Sequence, residues 1–558
     1  MTIFKSFIGA KDMKLWDGRT RTFDRLTSTG GTLTQNKIGH FVDALEVYGD
    51  GTAYTDSTIS LACSMTDGIV MLQPGTWDIT DNLTIPATTE LYVPKGAYLS
   101  IAAGKTLTIN GTFPAGPYRV FTGSGAVMFG SESVKEIYPE WWGGKADGAT
   151  DSSIAFQASI LASASGGTDG HGIPIKLQAG IYKANFAIAA LSNIAIIGAG
   201  ARATFIKPAM NNPVITLDST TGPMQYITVK DIGLDNSSSG WTNDGILITG
   251  TNINDYISLE RMFIYKFGSG MHITGRTILS HFDKLLIQSS TGNGIHIEGN
   301  SNSMVFNANS FTRVASSGST GHGMYIKDTG PVGTAGWLAN SWDSSCDFEG
   351  NGGSGIRVDG GNGGLSGGGG VYNSYIENNI DRGVYITGTL AIGFSVKNNL
   401  IWGSMSGIDY DNRAVLTNGE IIANRFSGKV HIETVHDLSL IHFLANYGGT
   451  PEFVKDGFGH DHVLIGSPTT YKHGKAQITL SENAVTSLAI TGSPLQYINT
   501  GYTDVDLFYV GGTVTFVYFQ RGGWGDYYPL NSIYRLSPGD IIYFTYTGAP
   551  TYIYVVPR

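Results

Sequence analysis

One short phrase recurs along the middle of this chain: a glycine, an alternating Ile-x-Ile strand and a turn residue. Its copies are DGILITG (244–250), SGMHITG (269–275), NGIHIEG (293–299), HGMYIKD (322–328), SGIRVDG (354–360), RGVYITG (382–388) and SGIDYDN (406–412), with a weaker copy GKVHIET (428–434). Glycines Gly245 to Gly407 lie 25, 24, 29, 32, 28 and 24 residues apart. This spacing predicts stacked coils, because one coil cannot bury its own inward Ile and Val, whereas a stack forms a continuous apolar column.

A second β-rich phrase stands between the copies, for example YISLERMFIY, SHFDKLLIQ and GVYNSYIEN. Leucine-rich helical repeats would need a helix in each unit, and none is visible. Glycine is abundant at 77 residues, and only 14% of the chain is charged. The sequence therefore predicts an all-β protein built on a right-handed parallel β-helix.

Charge and cysteine content exclude several classes. The net charge is −10 (35 minus 45) without a basic block, so we expect no nucleic-acid partner. Cys63 and Cys346 fit no metal-ligand spacing and are expected to be buried thiols. The sequence contains no run of about 18 apolar residues, so we expect no membrane insertion. Its first residues lack the apolar core of a signal peptide, so we expect no secretory signal. We expect no cofactor and no metal site.

The start of the repeat region carries a family resemblance. YPEWWGGKADGATDSSIAFQASILAS (138–163) followed by GIPIKLQAGIYK (172–183) resembles the opening of the pectate-lyase-like β-helix superfamily. In that family, a short helix caps the first coil. Here, SSIAFQASILA has helical spacing, with Asp151 placed as its N-cap. A cap is needed because an open stack of strands invites other chains to pair with it.

A degenerate copy of this opening occupies residues 50–85, so the chain starts a small β-structure before the main stack. This doubled start is similar to bacteriophage tailspikes and related tail-fibre depolymerases. The expected domains are a particle-attachment segment (1–47), a small β-structured domain (48–140), the β-helix with a carbohydrate-binding groove (141–467) and an antiparallel β-sandwich (468–558). The resemblance implies a homotrimer clamped by the last domain; a monomeric accessory or sugar-binding domain is the alternative.

Outward positions of the repeat strands should form two exposed rows, because alternate strand side chains face opposite ways. The first row runs Leu247, His272, His296, Tyr325, Arg357, Tyr385, Asp409, His431, and the second runs Thr249, Thr274, Glu298, Lys327, Asp359, Thr387, Asp411, Glu433. Aromatic faces and charged groups in such rows suit sugars. The predicted substrate-binding residues are His272, His296, Glu298, Tyr325, Arg357, Tyr385, Trp241 and Trp402.

Carboxylates in and beside these rows are the candidate catalytic groups. They are Glu349, Glu377, Asp359, Asp409, Asp411 and Asp244. Glu349 and Glu377 each precede a coil glycine by six residues and should stack on neighbouring coils. Adjacent coils lie about 4.8 Å apart, which suits a retaining glycosidase pair, whereas two coils approach the inverting range. A solvated or turn-bonding role is the alternative for each of them.

A further likeness is to polygalacturonases, through TNDG (242–245) and GHG (321–323). The paired aspartates of that family are missing, since GSG (268–270) stands in their place, and His322 lies three coils from Asp244 rather than two. We therefore do not transfer that mechanism.

Three functions stay open: a phage tailspike endo-glycosidase that cleaves host polysaccharide with paired carboxylates, a polysaccharide lyase on the same fold, and a receptor-binding spike without catalysis. The tailspike resemblance implies lipopolysaccharide O-antigen or capsule as substrate, tail or baseplate proteins as partners of the N-terminus, and location in the virion after synthesis in the host cytoplasm.

Overall fold

The structure is a computed structural model. It describes residues 54–165, 172–299, 305–328, 345–359, 369–387, 394–403, 488–499, 504–521, 524–530 and 532–557, together with short strands before and between these ranges. Among the described residues, no helix is both long enough and apolar enough to cross a membrane.

The repeated phrase forms one long sheet, here called sheet A. Its strands pair in parallel, in coil order, until a final antiparallel hairpin at 471–478. Inward residues such as Ile246 and Ile248 are fully buried, and the residues between them face outward. Among the described strands, those of sheet A are Phe186–Ala189, Ile215–Asp218, Ile246–Thr249, Met271–Ile273, Ile295–Gly299, Met324–Asp328, Ile356–Asp359, Arg382–Thr387, Ser406–Tyr410, Lys429–Ile432, Thr450–Phe453, Tyr471–His473 and Ala476–Ile478.

The β-rich phrases between the repeats form a second, larger parallel sheet, here called sheet B. A coil thus alternates between the two sheets, which is the parallel β-helix predicted from the repeat. The described strands of sheet B are Asp147–Asp151, Ile175–Lys176, Gly180–Lys183, Ala195–Ile197, Thr204–Lys207, Met224–Gln225, Thr228–Lys230, Gly233–Asp235, Asn254–Asp255, Ser258–Tyr265, Thr277–Ile278, His281–Gln288, Val305–Thr312, Ala315–Ser317, Gly336–Trp342, Asp347–Glu349, Leu365–Ser366, Gly369–Tyr372, Tyr375–Glu377, Ala391–Ile392, Phe394–Lys397, Leu400–Trp402, Leu416–Thr417, Glu420–Ile422, Arg425–Phe426, Ile441–Leu444 and Val463–Gly466.

The glycine of the repeat is required by the close approach of successive coils. A Cβ on Gly323 would lie 2.6 Å from the carbonyl oxygen of Gly355, and a Cβ on Gly245 would lie 2.6 Å from the carbonyl oxygen of Gly270. Any larger residue must push two backbones apart. The recurrence of glycine is therefore a packing requirement of the stack.

The coils bend in sheet B at residues other than glycine. Arg261, Lys284 and Arg313 occupy aligned positions on successive coils and have φ of 49°, 54° and 54°. Each is a left-handed residue inside or beside a strand, which turns the chain while pairing continues on both sides. Arg261 also donates to Asp231 one coil back, at 2.7 Å and 2.8 Å.

Among the described residues, two α-helices lie at the starts of the two β-structures. The helix Ser153–Ser165 begins directly after Ser152, so Asp151, the predicted N-cap, lies one residue before the observed N-cap position. Its carboxylate nevertheless accepts the Ser153 N–H at 2.9 Å and the Ser153 hydroxyl at 2.6 Å. The other helix is Asp56–Met65, and a short 3-10 helix spans Pro139–Trp142.

The predicted small β-structure before the main stack consists of three short parallel sheets. Their strands are Phe41–Asp43, Ile69–Met71 and Glu90–Tyr92; Gly75–Ile79, Ala97–Ile101 and Phe121–Gly123; and Leu83–Ile85, Thr106–Ile109 and Ala126–Phe129. Two hairpins precede them, Asp12–Lys14 with Thr20–Thr22 and Thr27–Thr29 with Thr32–Thr34. One continuous hydrophobic core joins this structure to the main stack, from Ala44 through Trp141 to Ile401.

The last part of the chain forms two four-stranded antiparallel sheets that enclose a separate hydrophobic core. One sheet contains Thr486–Ser487, Val505–Val510, Tyr534–Leu536 and Tyr552–Pro557; the other contains Leu495–Ile498, Thr513–Arg521, Trp524–Tyr528 and Ile541–Gly548. The predicted fold class is thus confirmed: an all-β parallel β-helix with a capping helix, a small N-terminal β-structure and a C-terminal antiparallel β-domain.

Candidate functional site

The predicted outward rows follow the strand register of sheet A. His272 pairs with His296, His296 with Tyr325, Tyr325 with Arg357 and Arg357 with Tyr385. In the second row the aligned residues are Glu298, Lys327, Asp359 and Thr387, of which the Thr387 side chain is buried.

Two histidines and two carboxylates meet at the start of the first row. The rings of His272 and His296 are parallel, with centroids 4.6 Å apart and an interplanar angle of 2°. His272 Nδ1 lies 2.9 Å from Asp244 Oδ2, and His272 Nε2 lies 3.7 Å from Glu298 Oε2. We call His272, His296 and Glu298, with Asp244 behind them, the histidine cluster.

The two histidines have opposite pKa shifts. Burial alone would lower the pKa of His272, but the hydrogen bond and charge of Asp244, with Glu298, raise it. Burial and the neighbouring His272 lower the pKa of His296. The carboxylates of Asp244 and Glu298 thus favour a positive charge on His272, whereas the environment of His296 favours a neutral imidazole.

Aromatic rings and a guanidinium continue the first row. The ring of Tyr325 stacks on His296 with centroids 5.2 Å apart, and Arg357 lies 5.3 Å from the Tyr325 ring and 5.2 Å from the Tyr385 ring. Arg357 also contacts Asp359 at 3.4 Å. Burial, together with the charge of Asp359, raises the pKa of Tyr325. The Arg357 Nε atom is buried and has no hydrogen-bond partner among the described residues.

His322 supports the row from the turn before it. Its Nδ1 accepts the backbone N–H of Ser354 on the next coil at 2.8 Å, so the imidazole is an acceptor there. Burial and the nearby Arg357 lower the pKa of His322 to about 4. In the GHG turn, His322 is therefore favoured as a neutral imidazole that accepts a hydrogen bond. As the spacing predicted, His322 lies three coils from Asp244.

A second group of carboxylates lies on sheet B. Glu349 and Glu377 are in register on adjacent coils, as the repeat predicted, and Asp347 faces the same way as Glu349 from two residues earlier. The Tyr375 hydroxyl donates to Glu377. We call Asp347, Glu349 and Glu377 the carboxylate cluster.

The pKa of Asp347 is raised well above its ordinary value. Burial, followed by the charges of Glu349 and Glu377, raises the pKa of Asp347 to about 6. Its Oδ1 atom is buried and has no hydrogen-bond partner among the described residues. Asp347 is not among the residues predicted from the sequence, although its position two residues before Glu349 in CDFEG places it on the same face of the strand.

Trp402 lies beside this cluster. It is the register partner of Glu377 on the following coil, and it is 48% exposed. An exposed indole next to carboxylates is the arrangement that sugar rings pack against. Ser317 precedes Glu349 in the same row.

The remaining predicted site residues fall elsewhere. Trp241 is half-buried in the turn that leads to the first repeat strand, where its carbonyl accepts from Asn236. Asp409 pairs with Tyr385 through its backbone, but its side chain lies outside the described residues. Asp411, His431 and Glu433 also lie outside the residues whose side chains are described. The predicted sites thus separate into two groups, the rows of sheet A and the carboxylate cluster of sheet B.

Only one group of described residues can hold a metal ion through imidazole nitrogen. One ligand atom from each of His272, His296 and Glu298 lies within 4.8 Å of the others.

Several solved structures are similar to this chain. The A-module of the Azotobacter vinelandii mannuronan C-5 epimerase AlgE4 has 17% identity, covers 61% of this chain and 96% of its own, and has a TM-score of 0.40. The tailspike gp49 of Acinetobacter baumannii bacteriophage Fri1, a capsular polysaccharide depolymerase, has 11% identity, with 75% and 85% covered and a TM-score of 0.33. Tailspike protein 2 of bacteriophage CBA120 has 9% identity, with 76% and 79% covered and a TM-score of 0.33.

Tailspikes, which the sequence resembles, are thus among the similar structures. No protein-family model matches the chain, and no curated relative does. At these identities and TM-scores, any assignment of function rests on the side chains of the site.

Proposed function

We propose that the protein is an endo-acting glycoside hydrolase that cleaves a bacterial surface polysaccharide at the carboxylate cluster. The observation that carries the proposal is the raised pKa of Asp347, about 6, beside two further carboxylates and an exposed indole. Glycosidases need one carboxyl group that stays protonated near neutral pH and one that is ionised.

Asp347 is the proposed general acid, which protonates the glycosidic oxygen. Glu349, which is exposed, is the proposed base for the attacking water. Positions two apart on one strand are about 6.6 Å apart, within the range of inverting enzymes. Glu377, held by Tyr375, adds the negative charge that keeps the proton on Asp347. The expected product is therefore of inverted anomeric configuration.

The rows of sheet A are the proposed binding subsites for the polymer. His296, Tyr325 and Tyr385 cover one another's faces or lie against Arg357, so they offer their outer edges and polar atoms to the polymer, and Arg357 offers directional donors. Weak contacts repeated along successive coils add together for an extended chain.

A lyase is the second candidate, and one observation favours it. The guanidinium of Arg357 lies between the rings of Tyr325 and Tyr385 with its side chain 30% exposed, and is suited to a substrate carboxylate. This candidate places the reaction on sheet A rather than sheet B.

One experiment separates these functions. The full chain is incubated with a panel of purified capsular and O-antigen polysaccharides, and reducing ends, unsaturated-uronate absorbance and chain length are followed. New reducing ends without that absorbance support the hydrolase, the absorbance supports the lyase, and unchanged chain length with retained binding contradicts both.

Glu349→Gln tests the site. We expect the rate of cleavage to fall at least a hundredfold with binding retained, because the amide cannot activate water. Glu132→Gln, at an exposed turn outside both clusters, is the matched control. If instead Asp359→Asn abolishes cleavage while Glu349→Gln leaves it intact, the reaction belongs to sheet A.

We further propose that the protein acts on a phage particle as a homotrimer, with residues 1–47 attached to tail or baseplate proteins. The doubled start of the chain and the antiparallel domain after the stack support this assignment by their resemblance to tailspikes. Under this proposal, the polysaccharide substrate is the O-antigen or capsule on the surface of the host bacterium.

A further inference from the structure

The histidine cluster contains two nitrogen atoms that lack a hydrogen-bond partner among the described residues. His272 Nε2 and His296 Nε2 are both buried, and neither has a hydrogen-bond partner among the described residues. Glu298 lies 3.7 Å from His272 Nε2, which is beyond hydrogen-bonding distance. Buried polar atoms are nearly always paired, so this arrangement favours a ligand that takes both nitrogens.

Asp244 prepares His272 for that role. Its carboxylate bonds the Nδ1 side of the ring at 2.9 Å and holds the proton there, so a metal ion displaces only the Nε2 proton of the free imidazolium and binds the lone pair that this exposes. Its other oxygen accepts the Ser269 N–H at 3.1 Å, which fixes the carboxylate. A carboxylate behind a histidine is the usual outer support of a metal-binding imidazole.

The donor set selects the class of ion. Two imidazole nitrogens and one carboxylate oxygen suit Zn²⁺, Co²⁺ or Ni²⁺, whereas Ca²⁺ and Mg²⁺ prefer all-oxygen sites. The three ligand atoms already lie within 4.8 Å of one another. A tetrahedral zinc ion needs its ligand atoms roughly 3.4 Å apart, so the side chains must close on the ion and the parallel rings of His272 and His296 must tilt toward each other.

We propose that His272, His296 and Glu298 bind one divalent transition-metal ion, with Zn²⁺ as the best fit. Three protein ligands leave a coordination position open, as in catalytic rather than structural zinc sites. Tyr325 and Arg357 continue the row on the next two coils, so the open position adjoins the proposed subsites. A hydroxyl or carboxylate oxygen of the polysaccharide is the class of ligand that would fill it.

This inference departs from the sequence-based expectation of no metal. The sequence places the two histidines 24 residues apart and Glu298 two residues further on, which matches no short metal motif. Only the stacking of coils brings the three residues together.

The test uses the full chain after chelator treatment and dialysis, without any polysaccharide. Zn²⁺ is titrated by calorimetry, and Co²⁺ binding is followed by its visible absorption bands. We expect one ion per chain with a micromolar or tighter Kd. His272→Gln and His296→Gln should each weaken binding at least 30-fold.

His281→Gln is the matched control, because His281 is an exposed histidine of sheet B that contacts Ser310. Thermal unfolding of each variant establishes that it is folded. Absent binding, equal binding by both folded cluster variants, or Ca²⁺ binding as tight as Zn²⁺ would overturn the proposal. Because no polysaccharide is present, the result is independent of the proposed hydrolase.

Discussion

Asp347 connects the chemistry of the site with the stability of the fold. Folding places its carboxyl group beside Glu349 and Glu377 and partly removes it from water. Both effects oppose ionisation. The same shift that would make Asp347 a useful acid therefore costs stability whenever the pH forces the group to ionise.

Asp347→Asn should therefore stabilise the protein at pH 8. The pKa rises from 3.8 unfolded to about 6 folded, so the folded chain holds this proton more tightly. Stability is then lost as pH rises from 3.8 to 6, and the loss is complete above that window. Removing the charge should restore roughly 2–3 kcal/mol at pH 8. Denaturant unfolding at pH 8 and below about pH 3 measures this gain in stability.

The comparison at low pH is the internal control, since the side chain is protonated there in both states. Under the proposed function the variant should also lose at least a hundredfold in cleavage rate. A variant that is less stable than the parent at pH 8 would show that Asp347 is not held at raised pKa by its neighbours.

At the same scale, the site was predictable only in part. Glu349 and Glu377 stand out because they occupy the same place in successive repeats. Asp347 has no such partner, since Tyr375 occupies its position on the next coil. The pKa of Asp347 depends on its burial and on charges from two coils, and neither can be read from the sequence of one repeat.

At the scale of the repeat, glycine sets how closely coils can stack. The Gly323 position faces the carbonyl of Gly355 so closely that even a methyl group does not fit. The next coil faces the same limit, because a Cβ on Gly355 would lie 2.8 Å from the carbonyl oxygen of Gly383. Substitution at one coil therefore disturbs its neighbours.

Gly323→Ala should destabilise the protein by about 3 kcal/mol, the upper part of the range for forcing extra carbon into a packed interior. Gly492→Ala is the control, because its added Cβ meets nothing within 4 Å. Thermal and denaturant unfolding of both variants, compared with the parent, measure the difference. Equal stability of the two variants would contradict the close packing of the coils.

The repeat predicted the parallel stack and its register, because period-2 alternation and glycine spacing both report backbone geometry. It did not predict the bends. Arg261, Lys284 and Arg313 adopt left-handed φ although none is glycine, so their sequence gives no turn signal. The predicted N-cap of the capping helix is one residue too early, because Asp151 and Ser152 are both acceptable N-cap residues and only the backbone conformation selects between them.

At the scale of the whole molecule, a continuous apolar column needs its ends covered. The helix Ser153–Ser165 lies at the start of the main stack, and its Phe156 and Ile160 are buried in the shared core. At the other end of the chain, the antiparallel domain has its own core and exposes large apolar side chains. Exposed apolar groups in contact with each other are typical of surfaces that bind a partner.

The proposed trimer gives these groups a role. Phe516 and Tyr527 are 57% and 68% exposed, and their rings lie 6.0 Å apart on neighbouring strands of one sheet. If this sheet forms the contact between copies, the full chain should have three times the monomer mass of 59.5 kDa in solution. The double substitution Phe516→Ser with Tyr527→Ser should then release monomers, because burial of both rings contributes several kcal/mol, at about 25 cal/mol per Å² of apolar surface.

Light scattering coupled to size exclusion measures the mass of each variant. Tyr552→Ser is the matched control, because Tyr552 is 48% exposed on the opposite sheet of the same domain. A trimer that persists in the double variant and dissociates in Tyr552→Ser would place the contact on the other sheet. If the parent chain has the mass of one copy, the proposed trimer is contradicted. The repeated subsites of a single stack would then have to hold the polysaccharide without the added avidity of three linked copies.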